Sequence, residues 1–257
     1  MPRLLRDALP PIVALLVAVA IWQGVVVAFG LPKYLLPSPA EVAGSVAKDP
    51  MKLLKATSRT AFAAGLALAV SVVAGTLVGC VFSQSAILRR SFYPYAIFLQ
   101  TVPIVAIAPL IVLWFGFGMP SIVAVAVVIS LFPVITAATA GLTRLDPLLV
   151  DLFTLHRASR WQLLWKLRLP SAVPHIITGA KTSGGLAVIG AIVGEFFAGY
   201  GVREYGLGFL IRFTADQSRT ADLFAAVLAS AALGVLIFAV VSGIGAFILN
   251  RWYDRVD

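Results

Sequence analysis

The chain has 257 residues, 60% of them hydrophobic and only 12% charged, with a mean hydropathy of +0.99. A soluble domain carries roughly 25% charged residues, so this apolar surface does not fit in one aqueous core and the chain reads as an integral membrane protein. The formal net charge of +9 would suggest nucleic acid in a soluble protein, but no basic run stands apart from the apolar spans. The lysines and arginines are read as loop charges that set orientation, and nucleic acid is not an expected partner.

Arg3 and Arg6 precede "IVALLVAVAIWQGVVVAFG". This run is longer than the roughly 7–15-residue core of a signal peptide and lacks a clean small-x-small cleavage site, so a retained first span, Ile12–Phe29, is expected. The lysine-bearing segment "AEVAGSVAKDPMKLLKATSRT" that follows suits a stretch lying along the membrane surface. Further spans are expected at Thr60–Phe82, Tyr93–Phe115, Ser121–Leu142, Ile176–Phe197 and Ala221–Leu249. Each can cross about 30 Å of hydrocarbon at 1.5 Å per residue. No soluble domain, long linker, low-complexity tract or internal repeat of roughly 20–50 residues is visible.

Counted from an N-terminus in the cytoplasm, the inner loops hold Arg3, Arg6, Arg89, Arg90, Arg144, Arg157, Arg160, Lys166, Arg168, Arg251 and Arg255. The outer loops hold Lys33, Lys48, Lys52, Lys55, Arg59, Arg203, Arg212 and Arg219. The bias places both termini in the cytoplasm.

Within the spans, Ala67, Ser71, Gly75 and Gly79 recur every four residues, as do Gly179, Ser183, Ala187 and Ala191. That spacing keeps small residues on one helix face, where backbones can approach closely. Cys80, the single cysteine, reads as a small packing residue. His156 and His175 have no Cys or carboxylate at metal-ligand spacing, so no metal site is expected. Pro103 and Pro109 in the third span and Pro133 in the fourth are expected to kink their helices.

Glu195 continues the small-residue face of the fifth span and should point into the bundle. Lys181 lies about 21 Å away along a helix, too far to pair with it, and near the cytoplasmic end it can snorkel. Two readings of Glu195 stand, a charge on a solute pathway and a structural carboxylate near the outer rim. Gln100, Thr101 and Ser130 are the polar candidates for a pathway lined by the third, fourth and fifth spans. The competing reading is hydrogen bonding between helices.

After the fourth span comes "TRLDPLLVDLFTLHRASRWQLLWKLRLPSAVP". Pro147 suits a helix start, and Ser159 caps a second helix, expected over Ser159–Leu169. Trp161, Leu164 and Trp165 fall on one face of it, with Arg160 and Lys166 elsewhere. Pro170 is expected to stop this helix and Pro174 to permit a fresh start. Such a helix can lie on lipid or dock on a partner.

The chain lacks the G-x-x-x-x-G-K-[ST] phosphate loop. "GYGVREYGLG" has no Lys-Ser/Thr and is expected outside. The spans hold no Ser/His/Asp or paired-acid constellation, so an enzyme is not expected. An ion-gradient-driven secondary transporter is the main rival, but it would show paired acids or two repeated halves.

"ASRWQLLWKLRLPSAVP" resembles the second half of the cytoplasmic coupling loop, or EAA loop, of bacterial ABC importer permeases. The first half departs from that pattern. Asp151, Leu152 and Phe153 stand at the Glu-Ala-Ala positions, and Arg157 replaces a glycine whose positive φ an arginine disfavours. "LLPSPAEV", "QTVPIVAIAPLIVLWFGFG", "GAKTSGGLAVIGAIVGEF" and "GLGFLI" resemble, in the right order, the sulfonate, taurine and nitrate branch of these permeases. Related branches handle riboflavin and thiamine-precursor pyrimidines.

The resemblance implies an all-α polytopic fold of six transmembrane helices, of the type I ABC importer permease kind. It implies one transmembrane permease domain over residues 1–257, with the coupling loop at about 143–175. It places the chain in the bacterial cytoplasmic (inner) membrane as the pathway for a small solute. No cofactor is expected in the chain itself. The implied partners are ATP-binding cassette ATPase subunits, which bind ATP and Mg, a second permease copy and an external substrate-binding protein. Asp151, Arg157, Ala158, Ser159, Arg160, Trp161, Leu164, Trp165, Lys166, Leu169 and Pro170 would meet the ATPase. The tryptophans and Leu164 would be apolar anchors, and Arg160, Lys166 and Arg168 would steer the encounter.

Overall fold

The computed structural model describes residues 3–199 and 205–253. Arg203, Arg255 and the middle of "GYGVREYGLG" lie outside the described residues. Helix α1 (Arg3–Ala28) is the first span. It closes at Gly30, whose φ of +56° lets the Gly30 and Leu31 N–H groups return to the Val27 and Val26 carbonyls at 3.3 and 3.2 Å. This is a Schellman closure. Helix α2 (Pro39–Lys48) starts from a capping box. Glu41 N–H donates to Ser38 Oγ at 3.3 Å and Ser38 N–H returns to the Glu41 carboxylate at 2.9 Å. Lys33 also reaches Glu41, at 2.6 Å. Its hydrogen bond holds the Glu41 carboxyl below the usual carboxylate range, and Glu41 in turn raises the Lys33 ammonium.

Helix α3 runs from Pro50 to Gln84, so only α2 is a separate short segment, and Lys52, Lys55 and Arg59 ride on the first turns of a long helix. The start signal precedes the apolar run: the Asp49 carboxylate accepts Lys52 N–H at 3.0 Å, and Pro50 takes the first helical position.

The third expected span is two helices, α4 (Ala86–Thr101) and α5 (Ile104–Phe115). Pro103 breaks the helix where only a kink was expected. Val102 before it is extended, at φ −72° and ψ 126°, because a proline crowds its predecessor out of the α region and offers no N–H of its own. Pro109 and Pro133 stay inside α5 and α6 (Met119–Thr143).

Helices α7 (Pro147–Leu155) and α8 (Arg160–Leu163) follow. A π-turn, Leu164–Arg168, then leads into α9 (Leu169–Ala198). Helices α10 (Leu207–Asp216) and α11 (Thr220–Tyr253) complete the described residues. The stretches Leu9–Ala28, Pro50–Gln84, Met119–Thr143, Arg160–Ala198 and Thr220–Arg251 are long and apolar enough to cross a bilayer. The broken α4–α5 pair takes the place of the sixth.

Helices α3, α6 and α9 form the centre, and the two small-residue faces are its seams. Ala67, Ser71, Gly75 and Gly79 of α3 and Gly179, Ser183, Ala187 and Ala191 of α9 are all buried. A Cβ at Gly79 would stand 2.9 Å from Ala138 Cβ, and one at Gly190 only 2.5 Å from Ala126 Cα. Backbones meet at those points as they do in tightly packed membrane helices. Lys181 is half-buried, with its side-chain carbons alongside Gly245 of α11. Helix α1 touches the rest through Trp22, whose indole N–H donates to the Pro37 carbonyl at 3.1 Å and whose ring stacks on Phe224.

Candidate functional site

Residues 146–170 form the segment that the sequence singled out. Asp146 caps α7 by accepting Leu148 N–H at 2.9 Å, and Pro147 occupies the first helical position as expected. The helix ends in a Schellman closure: Arg157 N–H donates to the Thr154 carbonyl and Ala158 N–H to the Phe153 carbonyl, both at 3.0 Å. Arg157 sits at the left-handed position with φ +51°. The turn of the glycine-bearing pattern is therefore kept with an arginine in place, at a backbone cost of about 1–2 kcal/mol. Ser218 after α10 does the same at φ +55°. Helix α8 opens on a capping box in which Gln162 N–H donates to Ser159 Oγ at 3.2 Å and Ser159 N–H to Gln162 Oε1 at 2.8 Å.

Pro170 does not stop this helix. It lies in the first turn of α9, and Pro174 lies inside it. The Leu169 N–H reaches back five residues to the Leu164 carbonyl. That wider turn makes room where a proline ring would press on the carbonyl four residues earlier. The basic segment and α9 are consequently one continuous helical rod.

Trp161 and Trp165 are 69% and 65% exposed, but Leu164 is only 4% exposed. Leu164 packs with Ala138, Leu142 and Ala172 in the bundle, so it is not on the tryptophan face as expected. Successive side chains on a helix point about 100° apart, so Leu164 turns to the bundle, as Leu167 does, while Trp165 beside it stays outside. Arg168 also turns inward and donates from Nη1 to the Ser83 carbonyl at the end of α3. It is not free to steer a partner. Asp151, Arg157, Ser159, Arg160 and Lys166 are exposed, while Ala158, Leu169 and Pro170 are half-buried. A cleft of about 340 Å³ opens beside α7 and α8, lined by Leu152, Phe153, His156, Ala158, Gln162 and Lys166.

The polar candidates inside the spans do not converge. Gln100 and Thr101 are exposed at the end of α4, and the Thr101 hydroxyl donates to the Phe98 carbonyl at 2.8 Å. Ser130 is fully buried in the central seam. Its hydroxyl donates to the Ala126 carbonyl at 2.7 Å, which leaves Ser71 to donate to Ser130 Oγ at 2.8 Å. Ser183 donates to the Ser130 carbonyl at 2.6 Å. This serine chain stitches α3, α6 and α9 together.

Glu195 is 1% exposed and sits where α3, α9 and α10 meet, at the end opposite the 146–170 segment. Gly208 N–H donates to Glu195 Oε2 at 2.7 Å, and the Thr60 hydroxyl faces both carboxylate oxygens at 2.9 and 3.0 Å. Leu207 N–H donates to Thr60 Oγ1 at 2.8 Å. Glutamate and threonine thus take the first free N–H groups of α10, where a negative charge is favoured by the helix dipole. A Cβ at Gly206 would stand 1.9 Å from Glu195 Oε1. Thr60, Gly206 and Gly208 were not among the sequence candidates, though "GLG" following a lone intramembrane acid was a readable signal. Two larger clefts, of about 710 and 670 Å³, open at this same end. The first is lined by residues that include Lys33, Glu41 and Arg219, the second by residues that include Lys52, Lys55 and Arg59.

A helical membrane bundle with an exposed, capped helix running into a central span has the architecture of a transporter's membrane component. The comparisons with known proteins agree. Residues 71–256 match the family described as binding-protein-dependent transport system inner membrane component, and the chain belongs to that family. It is similar to the formylaminopyrimidine transport permease protein ThiX of Halalkalibacterium halodurans, with 35% identity over 91% of this chain and 92% of that one. It is also similar to the riboflavin transport system permease protein RibX of Chloroflexus aurantiacus, with 34% identity over 93% and 88%. In fold it resembles a chain of an inward-facing MetNI methionine ABC transporter, with a TM-score of 0.67 and 17% identity over 78% of this chain and 98% of that one. This supports the type I permease fold expected from the sequence.

Proposed function

We propose that this ABC transporter permease forms the import pathway for a small solute and is driven by separate ATPase subunits that dock on residues 146–170. The observation that carries the reading is the pair Trp161 and Trp165. Two large aromatic side chains stay exposed on a doubly capped segment that continues into α9 without a break. Exposed aromatics of this kind are typical interface anchors. Asp151, Arg157, Arg160 and Lys166 surround them with charge. ATP and Mg belong to the partner in this reading. A second copy of the chain supplies the matching docking segment for a symmetric ATPase pair, and a soluble binding protein delivers the solute from outside. Both termini face the cytoplasm.

The relatives named for formylaminopyrimidine and riboflavin favour a small aromatic heterocycle as cargo, ahead of a sulfonate, taurine or nitrate. Of the polar candidates in the spans, Gln100 and Thr101, exposed at the end of α4, remain the pathway proposals, while Ser130 and Glu195 act through helix packing. The test is uptake into proteoliposomes of radiolabelled riboflavin, formylaminopyrimidine and taurine with the co-purified ATPase and binding protein. Uptake that requires ATP and both partners supports the proposal, whereas uptake on an ion gradient with the permease alone overturns it. Orientation is read separately in a Cys80→Ser background: a cysteine at Gln162 should resist a membrane-impermeant thiol reagent in intact cells.

A further inference from the structure

Arg168 is separated by 85 positions from Ser83, yet its Nη1 donates to the Ser83 carbonyl. That carbonyl is in the last turn of α3, where the helix has no further N–H of its own to offer. The guanidinium brings a positive charge to the negative end of the helix dipole, and its Nε is buried. Leu164 and Leu167, on the same π-turn, are buried with it. The tryptophans on the other face are exposed. The segment thus has an outer face free for a partner and an inner face fastened to the bundle.

The consequence lies in what α3 carries. Thr60, on the same unbroken helix, is about 35 Å from Ser83 at 1.5 Å per residue. There it joins Glu195 and the start of α10. Helix α3 is therefore a rod fastened to the segment by Arg168 at one end, to α6 and α9 by the serine chain in the middle, and by the Glu195 knot at the other end. Resting on the docking reading above, we infer that Arg168 is a positioning residue that clamps the coupling segment to α3, so that a displacement imposed by the ATPase moves α3 together with α9. Without the clamp the near end of α3 receives the displacement only through apolar packing, whereas α9 continues the segment covalently.

The test uses the permease–ATPase complex in lipid nanodiscs. Spin labels are placed at Lys166→Cys and at Ile87→Cys in a Cys80→Ser background. Ile87 is 78% exposed and lies in the first turn of α4, just beyond the end of α3. In the chain with Arg168 intact the distance between labels should stay single and unchanged between ADP and ATP. Arg168→Lys, which keeps a donor, should behave alike. Arg168→Met keeps the apolar stem and loses the donor, and its distance should broaden or shift on ATP. A shift of about 5 Å, one helical turn, with Arg168 intact overturns the clamp. So does an invariant distance in Arg168→Met, or equal broadening in the Met and Lys variants. If Arg168→Met is not recovered in assembled form, the intact chain alone decides. Lys166 lies on the docking segment, so capture of the ATPase is scored first for the unlabelled permease and again for each labelled variant, and only labelled chains that capture it are compared, which distinguishes a failure of docking from a failure of the clamp.

Discussion

Replacing Glu195 by alanine and by glutamine separates the two roles that a lone carboxylate in a span can have. The carboxylate takes Gly208 N–H at 2.7 Å and faces the Thr60 hydroxyl at 2.9 and 3.0 Å. In Glu195→Ala, Thr60 can still donate to the Ala56 carbonyl, 3.2 Å away. Gly208 N–H bonds the carboxylate alone among the described contacts. One stranded buried donor costs about 1–3 kcal/mol, and the vacated volume adds to it, so a total of roughly 2–4 kcal/mol is expected. In Glu195→Gln the side-chain oxygen can still take Gly208 N–H and the amide can donate to Thr60. What is lost is the charge assistance, about 1–2 kcal/mol. The assay is thermal stability in detergent, read by the fraction that elutes as folded permease after heating, with ATP-driven uptake normalised to that fraction. The expected order of stability is wild type, then Gln, then Ala, with normalised uptake preserved in Gln. A Glu195→Gln protein as stable as wild type that transports nothing would refute the structural assignment and restore a pathway charge. Undiminished stability in Glu195→Ala would show that the knot contributes nothing.

The other predictions concern single contacts. Trp161→Ala and Trp165→Ala should each weaken ATPase capture roughly thirty- to thousand-fold, equivalent to about 2–4 kcal/mol, while insertion is unchanged; retained capture with reduced insertion would support a lipid-surface role. Arg157→Gly relieves a positive φ but loosens the unfolded chain, so a net stabilisation of about 0.5 kcal/mol is expected, read as a small rise in melting temperature. Gly190→Ala drives a Cβ to within 2.5 Å of Ala126 Cα and should destabilise by about 1–3 kcal/mol. Gly185→Ala, with nothing within 4 Å of its new Cβ, should be neutral or stabilising by about 0.5–1 kcal/mol. Equal effects at the two glycines, measured side by side in detergent, would contradict the seam between α6 and α9.

The spans and caps were legible because their causes are local. Hydropathy over about 20 residues marks a crossing, and the Ser159 and Pro147 helix starts follow from side chains one to three residues away. The small-residue faces were legible for the same reason, since a spacing of four places Ala67, Ser71, Gly75 and Gly79 on one line. Local reading failed where a single residue tipped a balance. Pro103 breaks a helix while Pro109 and Pro133 do not, and Pro170 is absorbed by a π-turn. All four are prolines in apolar surroundings, and what differs is whether the freed carbonyl and the ring find room. Hydropathy alone puts the start of α3 at Thr60, whereas the Asp49 cap and the first-turn Pro50 begin it ten residues earlier.

The site was less legible than the spans because its decisive contacts are long-range. A four-residue periodicity shows that a face accepts a close neighbour, but not that Gly190 meets Ala126 or that Gly79 meets Ala138. Leu164 lies at the edge of the tryptophan face on a helical projection, and only the neighbouring helices decide that it goes to the bundle while the tryptophans stay outside. Glu195 could be placed on an inward face, but its meaning depends on Thr60, 135 residues earlier, and on Gly208 beyond the end of α9. In a membrane the apolar side chains gain little by choosing one apolar neighbour over another, so specificity falls to such close approaches and buried polar contacts. The residues that fix this arrangement are therefore small or singly polar, and their roles emerge only when the helices they join are seen together.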